Sequence, residues 1–340
     1  MNCDDSKNDS GIILCGVCKN TAGTVPVIRA AFEELASKAG VPCWAVFYEN
    51  NSDDGTAAEL MKWAAEAPGQ VIVKCEKFTR EEELSRCVAR TCDNRPCRIE
   101  QIAFARNKLL DMLEGELPGN QGSLVMIDTD NPVPFPVDSV LRCIARDPDG
   151  FDALVCNGLN SSGQIYDTYA YRDAQFPFGP EIMRDAFWSG HHQYYMRTAV
   201  HNQTLFFNRQ LRENPARLPY VPILSGFNGL CIFRREALMG LRYSAVPTAE
   251  MNAEYEALYS IPPFSNTIVN GASVGIHLFP NDKGSGNDTH KDDNDKGIFY
   301  FHNSGYNFPV VCEHTSLFAA MRARNHRRIY LCTDLVWNWI

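Results

Sequence analysis

The chain has 340 residues, 45% hydrophobic and 21% charged, and carries a net charge of −9. That is enough apolar material for a substantial core, in one large domain or two small ones, with the composition of an ordinary soluble globular protein. The acidic balance, without a strongly basic block, argues against general nucleic-acid binding, because backbone phosphates want a positive face. A nucleotide site stays open, since a bound metal supplies positive charge locally.

Met1 to Ser10 is polar and acidic and reads as a disordered N-terminus. It has neither a basic n-region nor an apolar h-region, so no signal peptide is expected. No window approaches the roughly 18 uninterrupted apolar residues of a membrane span. This favours a cytoplasmic, reducing setting, a lumenal domain trimmed of its anchor being the alternative. The 13 cysteines are then expected to be mostly free thiols.

Gly11 to Cys18 reads as a buried strand, followed by Lys19-Asn20 and a helix from about Thr24 to Ala39. Val41 to Tyr48 is a second strand, Asp54 to Ala65 an amphipathic helix and Gln70 to Cys75 a third strand. This βαβαβ order predicts a Rossmann-type, mostly parallel sheet flanked by helices, with ligands at the carboxyl ends of the strands. A charged insertion from about Glu76 to Arg98 holds Cys87, Cys92 and Cys97, too widely and evenly spaced for a usual zinc site. Cys15-Gly16-Val17-Cys18 has redox spacing but reads better as a strand edge.

A helix from Arg98 to Glu114 leads into a strand ending at Asp128; a helix to Arg146 and a strand from Phe151 to Asn157 follow. Residues 11–160 thus read as a nucleotide-binding-type half and 161–340 as an aromatic, Pro-rich and irregular half. In the second half, short helices are expected near 181–187 and 193–213, and a strand from Leu230 to Phe233. The polar stretch Asn281 to Gly297 predicts a mobile loop. A last helix, about Thr315 to Asn325, precedes a strand from Arg328 to Cys332.

Within this order, Leu124-Val125-Met126-Ile127 ends abruptly in Asp128-Thr129-Asp130. Side-chain direction repeats every two residues, so both carboxylates can project to one side. Two convergent hard oxygen donors at a strand's end make a place for a divalent cation, which usually brings a phosphate ligand. Glu49-Asn50-Asn51-Ser52-Asp53-Asp54 follows strand two and suits hydrogen bonding to a base or ribose, or equally a turn with a helix cap. Arg106 could reach a diphosphate or hold an aspartate, where a lone helix arginine is more often solvated.

Tyr166-Asp167-Thr168-Tyr169-Ala170-Tyr171-Arg172-Asp173 offers aromatic faces and carboxylates for a sugar, or an edge strand with an Arg–Asp pair. Glu313 opens the final helix, where the macrodipole favours a carboxylate fit to serve as base or nucleophile. His314 could complete a metal shell with Asp130; His191-His192 is a weaker pair, because adjacent side chains diverge.

Read together, these segments resemble a metal-dependent glycosyltransferase of the GT-A fold. A narrower similarity is to the fungal capsule-associated α-1,3-mannosyltransferases, glycosyltransferase family 69. It rests on Tyr48-Glu49 with Ser52 and Asp54-Gly55-Thr56, Arg98-Ile99 with Arg106-Asn107, and Tyr166-Asp167-Thr168 with Arg172-Asp173. Pro222, Phe227-Asn228-Gly229 and Glu313 complete it. Phe227 departs from that family's usual tryptophan, and Asp128-Thr129-Asp130 is closer to the general DXD motif than to its Asn-Asp form.

The resemblance implies Mn²⁺ or Mg²⁺ on Asp130, with Asp128 contacting the ribose or a metal-bound water. Asp128 and His314 are further candidate ligands from the residues themselves. The resemblance also makes 11–160 the nucleotide-sugar-binding half and 161–340 the acceptor-binding half of one continuous domain. It implies donor contacts from Lys19, Glu49, Asn50, Arg106, Asp128 and Asn228, and an acceptor base or carboxylate stabiliser in Glu313, Asp173 or Asp167. The implied partners are a nucleotide-diphosphate sugar (GDP-mannose or a UDP-sugar) and a glycan or glycoconjugate acceptor, with no nucleic acid. The loop 281–297 would then order over the donor. Two alternatives are a sugar-phosphate nucleotidyltransferase, which would want a more basic loop than Cys18 to Gly23, and a catalytically silent carbohydrate-binding protein on the same fold.

Overall fold

Strand β1 (Ile12–Cys18) lies in the middle of the sheet, and its alternating side chains feed two separate cores. Ile13 and Cys15 enter one, Ile12, Leu14 and Cys18 the other, so Cys15 and Cys18 face opposite sides and cannot act as a redox pair. The computed structural model describes residues 11–117, 122–146, 150–161, 163, 165–174, 177, 179, 219–259, 267–269, 272–274, 306–308 and 310–339. The helices expected near 181–187 and 193–213, His191-His192 and the loop 281–297 lie outside these residues.

The first half follows the expected order: β1, α1 (Val25–Ala39), β2 (Cys43–Asn50), α2 (Thr56–Glu66) and β3 (Val71–Glu76). Next come α3 (Arg80–Arg86), α4 (Arg98–Gly115), β4 (Ser123–Asp128), α5 (Val137–Ala145) and β5 (Ala153–Leu159). Then follow β6 (Tyr220–Pro222), β7 (Leu230–Arg234), α6 (Arg235–Leu238), α7 (Ala249–Tyr259), an antiparallel pair β8 (Thr267–Val269) and β9 (Ala272–Val274), α8 (Glu313–Ala323) and β10 (Ile329–Asn338).

The main sheet runs β3-β2-β1-β4-β7-β5-β10-β6. β3, β2, β1 and β4 are parallel, as are β5 and β10; β7 is antiparallel to both its neighbours and β6 to β10. This is the α/β architecture expected, and strands from both halves of the chain share one sheet. α4 and α8 pack on one face through residues such as Leu109, Leu113, Phe318 and Met321. α1, α2 and α5 cover the other through Phe32, Trp63 and Val140.

Besides β6, α6, α7, β8 and β9, which the sequence did not predict, two elements differ from expectation. The charged insertion contains α3, which buries no residue but is closed by a capping box between Thr79 and Glu82. The last strand runs on past Cys332 to Asn338, because a register shift between Cys332 and Val336 accommodates polar Thr333 and Asp334 within it.

Candidate active site

β1, β2 and β4 are parallel neighbours, so their carboxyl ends open on one edge of the sheet. There the loops after β1 and β2 are knitted together. Asn20 N–H donates to Ser52 Oγ (3.0 Å), Asn20 Oδ1 accepts from Asp53 N–H (2.9 Å), and Ala22 N–H donates to Asp54 Oδ2 (2.9 Å). Asn20 and Asn51 both take the left-handed backbone that asparagine tolerates. Asn51 then ties this edge to α3, donating to Glu83 Oε1 (2.7 Å) and Phe78 O (3.0 Å). Glu49 is buried, and its carboxylate accepts from Ser52 N–H at 2.8 Å. It shapes this loop and does not line the cavity beyond it.

At the end of β4 the alternation of side chains does what the sequence implied. Thr129 turns toward β1, its hydroxyl donating to Val17 O (2.8 Å), while its own carbonyl accepts from Thr24 Oγ1. β1 comes so close here that a Cβ on Gly16 would meet Thr129 Cγ2 at 2.7 Å. Asp128 and Asp130 line the cavity on either side of Thr129, and Asp130 is exposed.

Behind Asp128 lies Arg106. It belongs to the buried stripe of α4 with Ala103, Leu110 and Leu113, a position that normally demands an apolar residue. Its guanidinium is neutralised by two carboxylates, Nη2 to Asp128 Oδ1 at 3.1 Å and Nη1 to Glu313 Oε1 at 3.0 Å. Its flat face lies over the Phe227 ring at 4.6 Å, and Tyr243 is 5.5 Å away. His314 contacts Arg106 through both ring nitrogens and stacks on Phe227 at 4.1 Å. Burial, then the neighbouring guanidinium, drives the imidazole's pKa well down, so the ring is neutral.

A second carboxylate wall comes from the segment after β5. Asp167 accepts from Ala170 N–H (3.1 Å), and its own N–H donates to Asn228 Oδ1 (3.1 Å). Asn228 is fully buried, and its amide also donates to Cys156 O at 2.9 Å. Tyr166 stacks flat on Trp339 with centroids 4.0 Å apart, beside Gly229, whose φ of +86° no other residue type readily adopts. Asp173 accepts from Tyr171 Oη at 2.8 Å, buried away from the cavity.

These walls enclose a cavity of about 1040 Å³. Of the residues singled out from sequence, Lys19, Asn50, Arg106, Asp128, Asp130, Asp167, Glu313 and His314 line it; Glu49, Asp173 and Asn228 do not. Sequence reasoning missed Arg80 and Glu83 of α3, and Arg95, which line it too. The Thr79-x-x-Glu82 capping pattern was the one signal that a helix starts there.

The cavity floor is electrostatically stressed. Burial first, and then the charges of Asp130, Asp167 and Glu313 against the opposing pull of Arg106, push the Asp128 carboxyl up to about 7. Asp167, half-buried, is pushed up to about 6 by its loss of solvent and then by the charge of Glu313, against the Ala170 hydrogen bond. A divalent cation relieves such crowding, and Asp128 and Asp130 present the hard oxygens it prefers, so the donor set fits Mn²⁺ or Mg²⁺. His314 does not complete that set. Among the described residues, the three that bring ligand atoms within 4.8 Å of one another are Cys143, Cys332 and Asp334, not Asp128, Asp130 and His314. The His314 ring is occupied by a cation, which opposes a metal there.

A family model described as Cryptococcal mannosyltransferase 1 matches residues 30–259. No curated protein matches the chain in sequence. Among solved structures, a mannosyltransferase of Pyrobaculum calidifontis in complex with GDP-Man and Mn²⁺ is similar at 15% identity and TM-score 0.33, covering 68% of this chain and 47% of that one. Glucosyl-3-phosphoglycerate synthase of Mycobacterium tuberculosis, with Mg²⁺ and UDP, shows 14% identity and TM-score 0.32, covering 68% and 59%. Mannosyl-3-phosphoglycerate synthase of Rubrobacter xylanophilus shows 17% identity and TM-score 0.31, covering 67% and 54%. This chain therefore spans about half the length of those proteins. No helix among the described residues is long and apolar enough to cross a membrane.

Proposed function

The chain belongs to the family described as Cryptococcal mannosyltransferase 1, and on that premise we propose that it is a metal-dependent glycosyltransferase moving a hexose from a nucleotide-diphosphate sugar, GDP-mannose or a UDP-sugar, to a glycan or glycoconjugate acceptor. The observation that carries this reading is one cavity at the carboxyl ends of β1, β2 and β4 that Asp128, Asp130 and Arg106 line together.

Asp128 and Asp130 would hold Mn²⁺ or Mg²⁺, which when bound neutralises charge on the departing diphosphate. Arg106 fixes the Asp128 carboxylate by its 3.1 Å contact, and Glu313, at 3.0 Å from the same guanidinium, positions Arg106. Lys19 and Asn50 face the donor's base and ribose, with Glu49 setting the loop that carries Asn50. Asp167 is the acceptor's base: it lines the cavity, and a carboxyl near pH 6 takes a proton efficiently under neutral conditions. Asn228 orients the Asp167 backbone, and Asp173 accepts from the Tyr171 hydroxyl outside the cavity.

Binding tests the donor side. Thermal melts with UDP, GDP and their sugars should show stabilisation that needs Mn²⁺ and is removed by EDTA, and Asp130→Ala should lose it while melting like wild type without ligand. Stabilisation by no nucleotide, or equal stabilisation in Asp130→Ala, would overturn the reading.

A further inference from the structure

Cys143 of α5 and Cys332 of β10 lie on the face of the sheet remote from Arg106, their sulfurs 3.3 Å apart and both residues buried. Two thiolates on a tetrahedral zinc at about 2.3 Å would sit about 3.8 Å apart, wider than the separation here. The third neighbour, Asp334, accepts from the Cys332 thiol at 2.9 Å and is itself held by Arg146 at 2.9 Å, a cation that disfavours a metal at the same place. The two sulfurs stand about 1.2 Å beyond the roughly 2.05 Å of a disulfide. We propose that Cys143 and Cys332 form a disulfide that fastens α5 to β10.

The chemistry is thiol–disulfide exchange with a small disulfide oxidant such as oxidised glutathione. One cysteine thiolate attacks the oxidant, forming a mixed disulfide and releasing one glutathione thiolate. The second cysteine thiolate attacks the protein sulfur of that mixed disulfide and releases the other. Two protein thiols lose two protons and two electrons, and one oxidant becomes two thiols. Exchange takes place while the chain folds, since the finished fold covers both sulfurs and pushes the Cys332 thiol far up.

The bond closes a circuit behind the Asp128–Asp130 loop. Asn131 donates to Asn338 O (3.0 Å), and Trp337 Nε1 donates to Val133 O (3.0 Å). The segment leaving Asp130 is thus already pinned to the far end of β10, and the disulfide pins its continuation, α5, to the near end. The closed loop spans a separation of 189 residues, long enough to restrict the unfolded chain strongly.

The test is to refold the full chain in a reduced and oxidised glutathione mixture with EDTA present, alkylate free thiols, digest, and map cross-linked peptides by mass spectrometry. The expected result is a peptide pair joined through Cys143 and Cys332, and a melting temperature on the order of 10 °C above the reduced protein. Cys143→Ser and Cys332→Ser should each lose the pair and the shift; the wild-type comparison with and without reductant stands even if a variant folds poorly. Both thiols alkylated in the folded, oxidised chain, or Cys143 or Cys332 joined to Cys156, would overturn the proposal. So would equimolar zinc in protein prepared without chelator that either serine variant loses.

Discussion

Replacing Arg106 by methionine keeps the bulk of the side chain but strands two carboxylates. At about 3 Å and an effective dielectric near 20, each ion pair is worth about 5 kcal/mol before desolvation is charged against it. Removing one partner of a buried pair costs about 3–5 kcal/mol in practice. Asp128 already sits at about 7, so without the guanidinium it binds a proton at neutral pH and limits its share of the damage. Glu313 is only 7% exposed at its side chain, so its charge would be left buried without a partner. We therefore expect Arg106→Met to lose about 3 kcal/mol at pH 7, measured by urea denaturation in EDTA. In the variant Asp128, freed of the guanidinium that opposed its burial, titrates further above its unfolded value, so the native state holds more protons and stability falls as pH rises. The deficit should be smaller at pH 6 than at pH 8. Adding Glu313→Gln should restore stability without restoring donor turnover. A loss under about 1 kcal/mol, or a deficit that does not shrink at the lower pH, would refute the assignment of Arg106 as the charge that holds this cavity together.

Three further predictions follow from the same geometry. Asp167→Asn should lower turnover by about 10²–10⁴-fold with nucleotide binding intact, whereas an equal loss of nucleotide binding by calorimetry would remove it from the acceptor side. Gly229→Ala forces a Cβ to 2.2 Å from the Trp339 ring at a φ of +86°. It should cost at least about 2 kcal/mol and weaken the near-ultraviolet circular dichroism of the Tyr166–Trp339 stack; a change within about 0.5 kcal/mol would contradict it. Asp152 is buried, which alone would raise its carboxyl, but hydrogen bonds from the Arg328 side chain and backbone (2.8 Å) and from His326 (3.2 Å) outweigh burial and hold it low. Its stabilisation is complete above an unfolded pKa of about 3.9 and lost as pH falls through the lower folded value. Asp152→Asn should cost about 2 kcal/mol at pH 7, converging on wild type in acid-denaturation curves; a constant gap would refute that.

The strands that build the cavity were legible because they are apolar runs ended by turn residues, and Asp128 and Asp130 could be read from alternation alone. α3 was not, since Leu84 is its one apolar residue and none of its residues is buried, leaving periodicity silent. β10 was readable only to Cys332, where Thr333 and Asp334 interrupt the apolar run. Arg106 could be read as a diphosphate or aspartate contact but not told from a solvated helix charge by local pattern, because its partners come from β4 and α8. Its place on the apolar stripe of α4 was the available clue. Glu49, Asp173 and Asn228 show the converse. Their residue types suit a ligand, yet in the fold their polar atoms serve Ser52, Tyr171 and the Asp167 loop.

On the proposed function this cavity brings a metal and a sugar nucleotide together for transfer. The most direct measurement is release of nucleoside diphosphate from a panel of GDP- and UDP-sugars, with Mn²⁺ or with EDTA, by wild type, Asp128→Asn and Asp130→Ala. Turnover of at least one donor is expected in Mn²⁺, abolished by EDTA and by either substitution. Turnover that persists in EDTA or in both variants would contradict it, as would none from any donor by protein that binds the nucleotide.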